Sequence, residues 1–425
     1  MKLIRNAHVV DPATDTDGVK DILIDRNGLI AEVGSGLSGG EAEVIDASGL
    51  HAFPGLVDLH VHLRDPGQEW KEDIHTGCDA AVKGGFTTIC CMPNTTPVND
   101  SKTTTGYMVE KARAYGKCSV LPFGTITLGM KGETIAPMAE MMEAGAIGFS
   151  EDGRNVDNSE VMRIALEYAS MFGALIAVHN EDPYVGRGGV VHEGVYSSKA
   201  GLKGIPDIKE SLMVARDIEL AYYTGCPVHF CHISTRRSVE LIRNAKAQGL
   251  PVTAEVAPHH LFLNDSLITT YDTNYKMNPP LRSEDDRLAC LEGLADGTID
   301  VIATDHAPHA ITDKEKDFDH AAFGVIGLET ALPLTLHLVR ENVLSLRQLI
   351  ERLSTTPARI LGRNTQIGTL APGARADLVL VDLERKDIVG DDFFASKSHN
   401  SPFLGQQVQG LPVSTYYGGT CVYKA

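Results

Sequence analysis

The stretch Gly55-Leu-Val-Asp-Leu-His60-Val-His62-Leu-Arg-Asp-Pro-Gly67 decides how this chain is read. The run Phe53–Leu63 is apolar and β-branched, which predicts a buried strand. Side chains two apart on a strand share a face, so both imidazoles aim at one spot. The Arg-Asp-Pro-Gly that follows ends the strand in a turn. Two imidazoles converging at a strand end supply half of a transition-metal site. A lone histidine is more often a packed or surface residue; the pair at this spacing points to metal.

Working outward, the pattern from Gly55 to about Leu361 alternates apolar strands with amphipathic stretches. The predicted strands are Gly55–Leu63, Thr87–Met92, Ser119–Phe123, Ile147–Ser150, Leu175–His179, Val228–His232, Val252–Val256 and Val301–Thr304. Helical stretches between them include Thr134–Glu143, Ser159–Met171, Lys209–Tyr222, Arg237–Gln248 and Ser283–Leu294. Eight such strands predict an α/β fold of the (β/α)8 TIM-barrel type. Residues 1–54 read as short strands, and a helical segment near Ser345–Leu361 is followed by more strand to residue 425. The expected domains are 1–54 and 363–425, joined as a small β-sandwich built from both termini, around a barrel of 55–362.

With 425 residues, 43% of them hydrophobic and 22% charged, the chain has ample material for a large core. No run of about 18 apolar residues predicts a membrane span, and the N-terminus lacks the apolar stretch of a signal peptide. The net charge of −18 comes with no basic patch, which argues against nucleic acid as a partner. An anionic substrate would need positive charge built into its site. The eight cysteines show neither a disulfide framework nor a CxxC pair, so reduced thiols in a cytoplasmic protein are expected.

In such barrels the active site lies at the C-terminal ends of the strands. The first predicted strand ends in His60 and His62, and the fourth delivers Glu151 and Asp152. The fifth ends in His179, the sixth in His232 and the last in Asp305. Four histidines and two aspartates at five strand ends suit a two-metal centre with one bridging carboxylate. Spacing leaves Glu151 and Asp152 even as the bridge. His229 and His232 lie on opposite strand faces, so at most one is a ligand, and His232 is nearer the mouth. His259, His260, His306, His192 and His320 read as supporting or structural. Two ions would make hydroxide available at neutral pH, and Asp305 is placed to carry a proton from the nucleophile to a leaving nitrogen.

With these residues in place, the chain resembles the class I dihydroorotases of the amidohydrolase superfamily over nearly its whole length. The resemblance rests on His60-Val-His-Leu-Arg-Asp-Pro-Gly67, Gly84-Gly-Phe-Thr-Thr88, Met92-Pro-Asn-Thr95, Cys231-His-Ile-Ser-Thr235 and Pro258-His-His260. It extends to Asn274-Tyr-Lys-Met-Asn-Pro-Pro-Leu-Arg282, Ala303-Thr-Asp-His-Ala-Pro-His309, Phe323-Gly-Val-Ile-Gly-Leu-Glu-Thr330 and Gly368-Thr-Leu-Ala-Pro-Gly373. It implies zinc-dependent, reversible hydrolysis of (S)-dihydroorotate to N-carbamoyl-L-aspartate, a step of de novo pyrimidine (UMP) biosynthesis. It implies two Zn2+ per subunit, one held by His60, His62, Asp152 and Asp305 and the other by Asp152, His179 and His232.

That resemblance makes Asp152 the bridge, where many superfamily members use a carboxylated lysine. It implies substrate contacts from Arg64, Asn94, Asn278 and His309, with main-chain contacts at Phe323 and Gly324. Arg64 can grip a carboxylate with two parallel hydrogen bonds. Read without the resemblance, Asn94 and Asn278 are ordinary turn residues. Asn180 after His179 and Glu151 before Asp152 depart from the common family pattern. Self-association and association with aspartate transcarbamoylase have precedents in the family. The Lys- and Asp-rich segment Ala310–Ala322 has the composition of a lid. The rival readings are hydantoinase or allantoinase, and a non-catalytic scaffold, which would not need the full ligand set kept here.

Overall fold

The computed structural model describes residues 1–425. Its centre is a parallel barrel of eight strands: β1 (Leu56–Val61), β2 (Phe86–Cys91), β3 (Ser119–Thr125), β4 (Gly148–Ser150), β5 (Leu175–Val178), β6 (Val228–Phe230), β7 (Val252–Val256) and β8 (Val301–Ile302). They pair in chain order, each parallel to the next. Closure comes just past the end of β8: Val61 bridges His306, and the His62 main-chain N–H donates to the His306 carbonyl at 2.8 Å. Every residue of β1 and β2 is buried, as expected where a parallel sheet is covered on both faces.

Several strands stop short of the sequence expectation. β5 ends at Val178, β6 at Phe230 and β8 at Ile302. The ladder ends there as the chain leaves the extended conformation at the barrel mouth. His232 and Asp305 even adopt left-handed backbone angles, φ 32° and 48°, which a strand cannot contain. The predicted helix Ser345–Leu361 is likewise in pieces: Leu346–Ile350, a wider turn at Glu351–Thr355, then Thr356–Ile360. Pro357 has no N–H to give the regular ladder, and the Ser354 hydroxyl donates to the Gly55 carbonyl at 2.8 Å. The break seats this segment against the start of β1.

The strands Lys2–Asp11, Thr16–Ile24, Ile30–Gly34, Glu43–Asp46 and His51–Pro54 join Leu378–Ile388, Gln407–Tyr417 and Thr420–Lys424 in one eight-stranded sheet. The termini meet where Leu378–Val381 runs antiparallel to His51–Pro54. This unit has its own apolar cluster of 13 residues, including Ile4, Ile22, Leu378 and Tyr416. Asp11 locks the two halves, accepting the Leu370 N–H at 2.8 Å and the Thr369 hydroxyl at 3.2 Å. The main cluster of 59 residues sits between strands and helices. No helix is long and apolar enough to cross a membrane.

The helix Leu328–Arg340 that follows β8 carries a fully buried carboxyl at Glu329. Its Oε1 accepts the Ala395 N–H, while Oε2 has no partner. Burial pushes this carboxyl up to about 8, against the pull of the Ala395 N–H and Lys83. The native state therefore holds the proton more tightly than the unfolded chain. The resulting stability is complete below about pH 4.5 and is lost as pH rises through about 8. Urea unfolding should accordingly show Glu329→Gln losing less stability between about pH 5 and about pH 9 than the parent protein; equal losses would refute this assignment.

Candidate metal centre

Six side chains from five strand ends meet in one buried spot. His60 Nε2 lies 3.3 Å from Asp152 Oδ1 and 3.5 Å from Asp305 Oδ1. His62 Nε2 lies 3.4 Å from Asp152 Oδ2 and 3.1 Å from Asp305 Oδ1. On the other side of Asp152, His179 Nδ1 and His232 Nε2 approach Oδ1 at 3.4 and 3.3 Å, and each other at 2.9 Å. Asp152 thus turns Oδ2 to His62 and Oδ1 to His60, His179 and His232.

The donor set fits a metal. Ligand atoms about 2.0–2.1 Å from a tetrahedral ion stand roughly 3.3–3.4 Å apart, close to the spacings seen here. Two trios, His60–His62–Asp305 and His60–Asp152–His232, have all their donor atoms within 4.8 Å of one another. His60 Nε2 is buried with no hydrogen-bond partner, a cost that coordination would remove. Electrostatics agree. Burial disfavours charge on His179, but bonds to Asp152 and Glu181 outweigh it and raise the ring to about 10. Burial likewise opposes ionisation of Asp152 and Asp305, yet the histidines hold both carboxyls well below their usual range. The shifts favour protons on His60 and His179 but not on His62, which burial lowers, and a cation entering would displace the protons held there.

Each orienting bond can be traced. His60 Nδ1 meets Glu255 Oε1 at 2.7 Å, His62 Nδ1 meets Asn94 Oδ1 at 2.9 Å, and His179 Nε2 meets Glu181 Oε2 at 3.2 Å. Asn94, expected at the substrate, also spans His62 and the Asp152 carbonyl, to which its amide donates at 3.3 Å. Asn278 donates to Glu181 at 3.0 Å. Glu151 takes no part in the cluster: it accepts the Thr127 N–H and hydroxyl. Asn180 donates to buried Asp217 at 2.7 Å. Glu255 and Glu181 escaped the sequence reading, although a lone Glu inside Val252-Thr-Ala-Glu-Val256 was a visible signal. Burial drives His259 down to about 4, so its ring is neutral, and its Nε2 has no partner.

Positive charge gathers at the mouth. Arg64, strained at φ 59°, donates from Nε to the Pro308 carbonyl at 3.1 Å, and its Nη2 lies 3.4 Å from His309. Burial lowers Arg64 to about 10, so it stays charged at neutral pH. His309 donates from Nε2 to the Phe323 carbonyl at 2.8 Å, leaving Nδ1 to accept from Lys71 at 3.4 Å. Gly324, at φ +127°, admits no side chain, since a Cβ would lie 2.8 Å from that of Ala307. The segment Ala310–Ala322 is tied down from both ends. Lys314 donates to the carbonyls of Lys276, Ala322 and Gly324, and Lys276 to those of Phe318 and Asp319. A cavity of about 880 Å³, lined by Trp70, Tyr271, Ile311 and Asn400 among others, opens beside His309.

A closed parallel barrel with this cluster at its C-terminal mouth is the architecture of amidohydrolases, and comparison supports it. Residues 50–238 match the family described as dihydro-orotase-like, and residues 241–423 the amidohydrolase family. The structure is similar to the L-hydantoinase (dihydropyrimidinase) from Arthrobacter aurescens, with TM-score 0.90 and 29% identity over 99% of this chain and 96% of that one. It is also similar to the dihydropyrimidinase from Brevibacillus agri, with TM-score 0.86 and 26% identity over 100% and 95%. In sequence it is 50% identical to the dihydroorotase of Geobacter metallireducens and 51% identical to that of Geobacter sulfurreducens, each over 99% of both chains. The chain belongs to the dihydroorotase family, and is a cyclic amide hydrolase.

Because Asp152 is approached by all four histidines, Asp152→Ala should abolish uptake of divalent metal altogether, whereas His179→Ala should lower it by about half. Metal analysis of purified variants checks this; retention of full metal by Asp152→Ala would remove Asp152 from the centre.

Proposed function

We propose that this chain is a class I dihydroorotase, which hydrolyses (S)-dihydroorotate to N-carbamoyl-L-aspartate reversibly with two Zn2+ per subunit. The observation that carries the reading is the convergence of His60, His62, Asp152, His179, His232 and Asp305 beside the buried cation Arg64. Asp152 in the bridging place, rather than a lysine, favours the class I type. His60, His62, Asp152 and Asp305 would hold one ion, and Asp152, His179 and His232 the other. When bound, such a pair polarises the scissile carbonyl and lowers the pKa of a water to near neutrality.

The chain's own groups supply the rest. Arg64 binds the ring carboxylate in a site where little water competes. His309, neutral because burial and its cationic neighbours depress it, would reach the same carboxylate by redirecting its one N–H from the Phe323 carbonyl. Asn278 and the main chain at Phe323 and Gly324 would flank the ring. Asp305, an unprotonated carboxylate at the last strand end, accepts a proton from the attacking water. It then delivers that proton to the ring nitrogen as the C–N bond breaks, so the products are a ureido group and a carboxylate. Asn94 acts through His62 on the geometry just described.

A cytoplasmic setting, domain limits at 54/55 and 362/363, and assembly with itself or with aspartate transcarbamoylase belong to the same reading. The solved neighbours named as hydantoinases supply the alternative. Identity near 50% to dihydroorotases, against 29% or less to those neighbours, favours the carboxylate-bearing ring.

Loss of ring absorbance on metal-replete protein tests the proposal against hydantoin and allantoin. Dihydroorotate should be the preferred substrate. Asp305→Asn should lower kcat by about 10²–10⁴-fold with the zinc content measured alongside, and Arg64→Gln should act mainly through KM. Preference for hydantoin, or undiminished turnover in Asp305→Asn, would overturn it.

A further inference from the structure

We propose that Glu255, with His229 beside it, is a positioning residue that holds both halves of the metal centre in register. The inference rests on the two-ion reading above. Glu255 stands near the end of β7 and is 1% exposed. Its Oε1 lies 2.7 Å from His60 Nδ1 and accepts the His232 main-chain N–H at 3.1 Å. Its Oε2 lies 2.9 Å from His229 Nε2, and His229 Nδ1 lies 2.8 Å from the Thr253 hydroxyl.

A carboxylate only accepts, so the network fixes each proton. His60 carries its hydrogen on Nδ1, which leaves the lone pair on Nε2 facing Asp152 and Asp305. His229 carries its hydrogen on Nε2 and accepts from Thr253 on Nδ1. Glu255 therefore sets the tautomers of both His60 and His229, and the Thr253 hydroxyl complies by donating to His229 Nδ1. One carboxylate so orients the ring of His60 and anchors the backbone of His232, two side chains whose Nε2 atoms both lie 3.3 Å from Asp152 Oδ1 and which the two-ion reading assigns to different ions.

Glu255 could instead be read as a ligand, since His60, Cys231 and Glu255 bring donor atoms within 4.8 Å. The 2.7 Å contact argues against that. It matches a charge-assisted hydrogen bond, and it is made by His60 Nδ1, whereas Nε2 is the nitrogen that faces Asp152 and Asp305. The other orienting groups are local by comparison: Asn94 touches only His62, and Glu181 only His179, among the metal-centre histidines. Glu255 alone among them touches His60 and His232 together. Its removal therefore has a distinct signature, the weakening of both ions rather than one.

The test uses the full chain, stripped of metal and titrated with Zn2+ against a chelator. Urea unfolding of the metal-free form and the Co2+ absorption spectrum serve as second readouts. Glu255→Gln should raise both zinc dissociation constants by about 10–100-fold and alter the cobalt bands, while Asn94→Ala raises one. His229→Leu should weaken both ions less, and His229→Gln, which keeps an N–H for Oε2, should recover most of that loss. Unchanged affinities in Glu255→Gln, or weakening of a single ion, would overturn the proposal. If Glu255→Gln does not fold, the His229 pair decides it, and equal loss in both His229 variants would count against it. A parent protein that binds no zinc would instead sink the two-ion reading itself, so the two failures are distinguishable.

Discussion

Everything at the mouth of this barrel depends on one buried carboxylate surrounded by imidazoles. Asp152 is 3% exposed and lies within 3.4 Å of His60, His62, His179 and His232. Burying so many ionisable groups without compensating charge would be strongly unfavourable. Protons can neutralise the cluster in the metal-free protein, and cations in the loaded one. The fold pays attention to this spot in its backbone too: Arg64, His232 and Asp305 all take left-handed φ angles around it, strain that only surrounding packing can maintain.

The barrel makes that convergence possible because its strands end on a common ring. The six side chains that could hold metal come from β1, β4, β5, β6 and β8, and each stands at or within three residues of its strand's end. Short strands are part of the design: the ladder stops early, and the freed residues turn inward. The terminal sheet stands apart from this chemistry with its own core. Segment 395–400 nevertheless reaches back to the site, where Asn400 accepts the His309 N–H and donates to the Ala307 and Gly324 carbonyls. The loop bearing Phe323 and Gly324 is thus held by the C-terminal chain as well as by Lys314.

The fold alone would not choose the reaction, since the solved neighbours share it and carry hydantoinase names. In the proposed reading, discrimination lies in the charge of the mouth. Arg64 is buried there as a cation, and Lys71 beside it pairs with Asp313 at 3.2 Å, in a chain whose net charge is −18. A substrate anion is attracted by local groups against the field of the whole surface.

How much was legible beforehand follows from which interactions are local. Apolar runs alternating with helical patterning exposed eight strands and their order, because burial on both faces leaves an apolar signature in the sequence itself. The HxH spacing and the residue types closing each strand were readable for the same reason. Strand ends were placed too late at β5, β6 and β8, since left-handed turns at His232 and Asp305 leave no signature in hydrophobicity. The break after Ile350 depends on a contact between Ser354 and Gly55, about 300 residues apart. Asn94 looked like a turn or substrate residue, and only the fold sets it against His62. Glu255 escaped the sequence reading because its partners His60 and His229 reach it only through the fold. By itself, then, the sequence determined the barrel and the kinds of ligand it offers; the tertiary structure alone decided which nitrogen of each histidine is free, because that is set by partners distant in the chain.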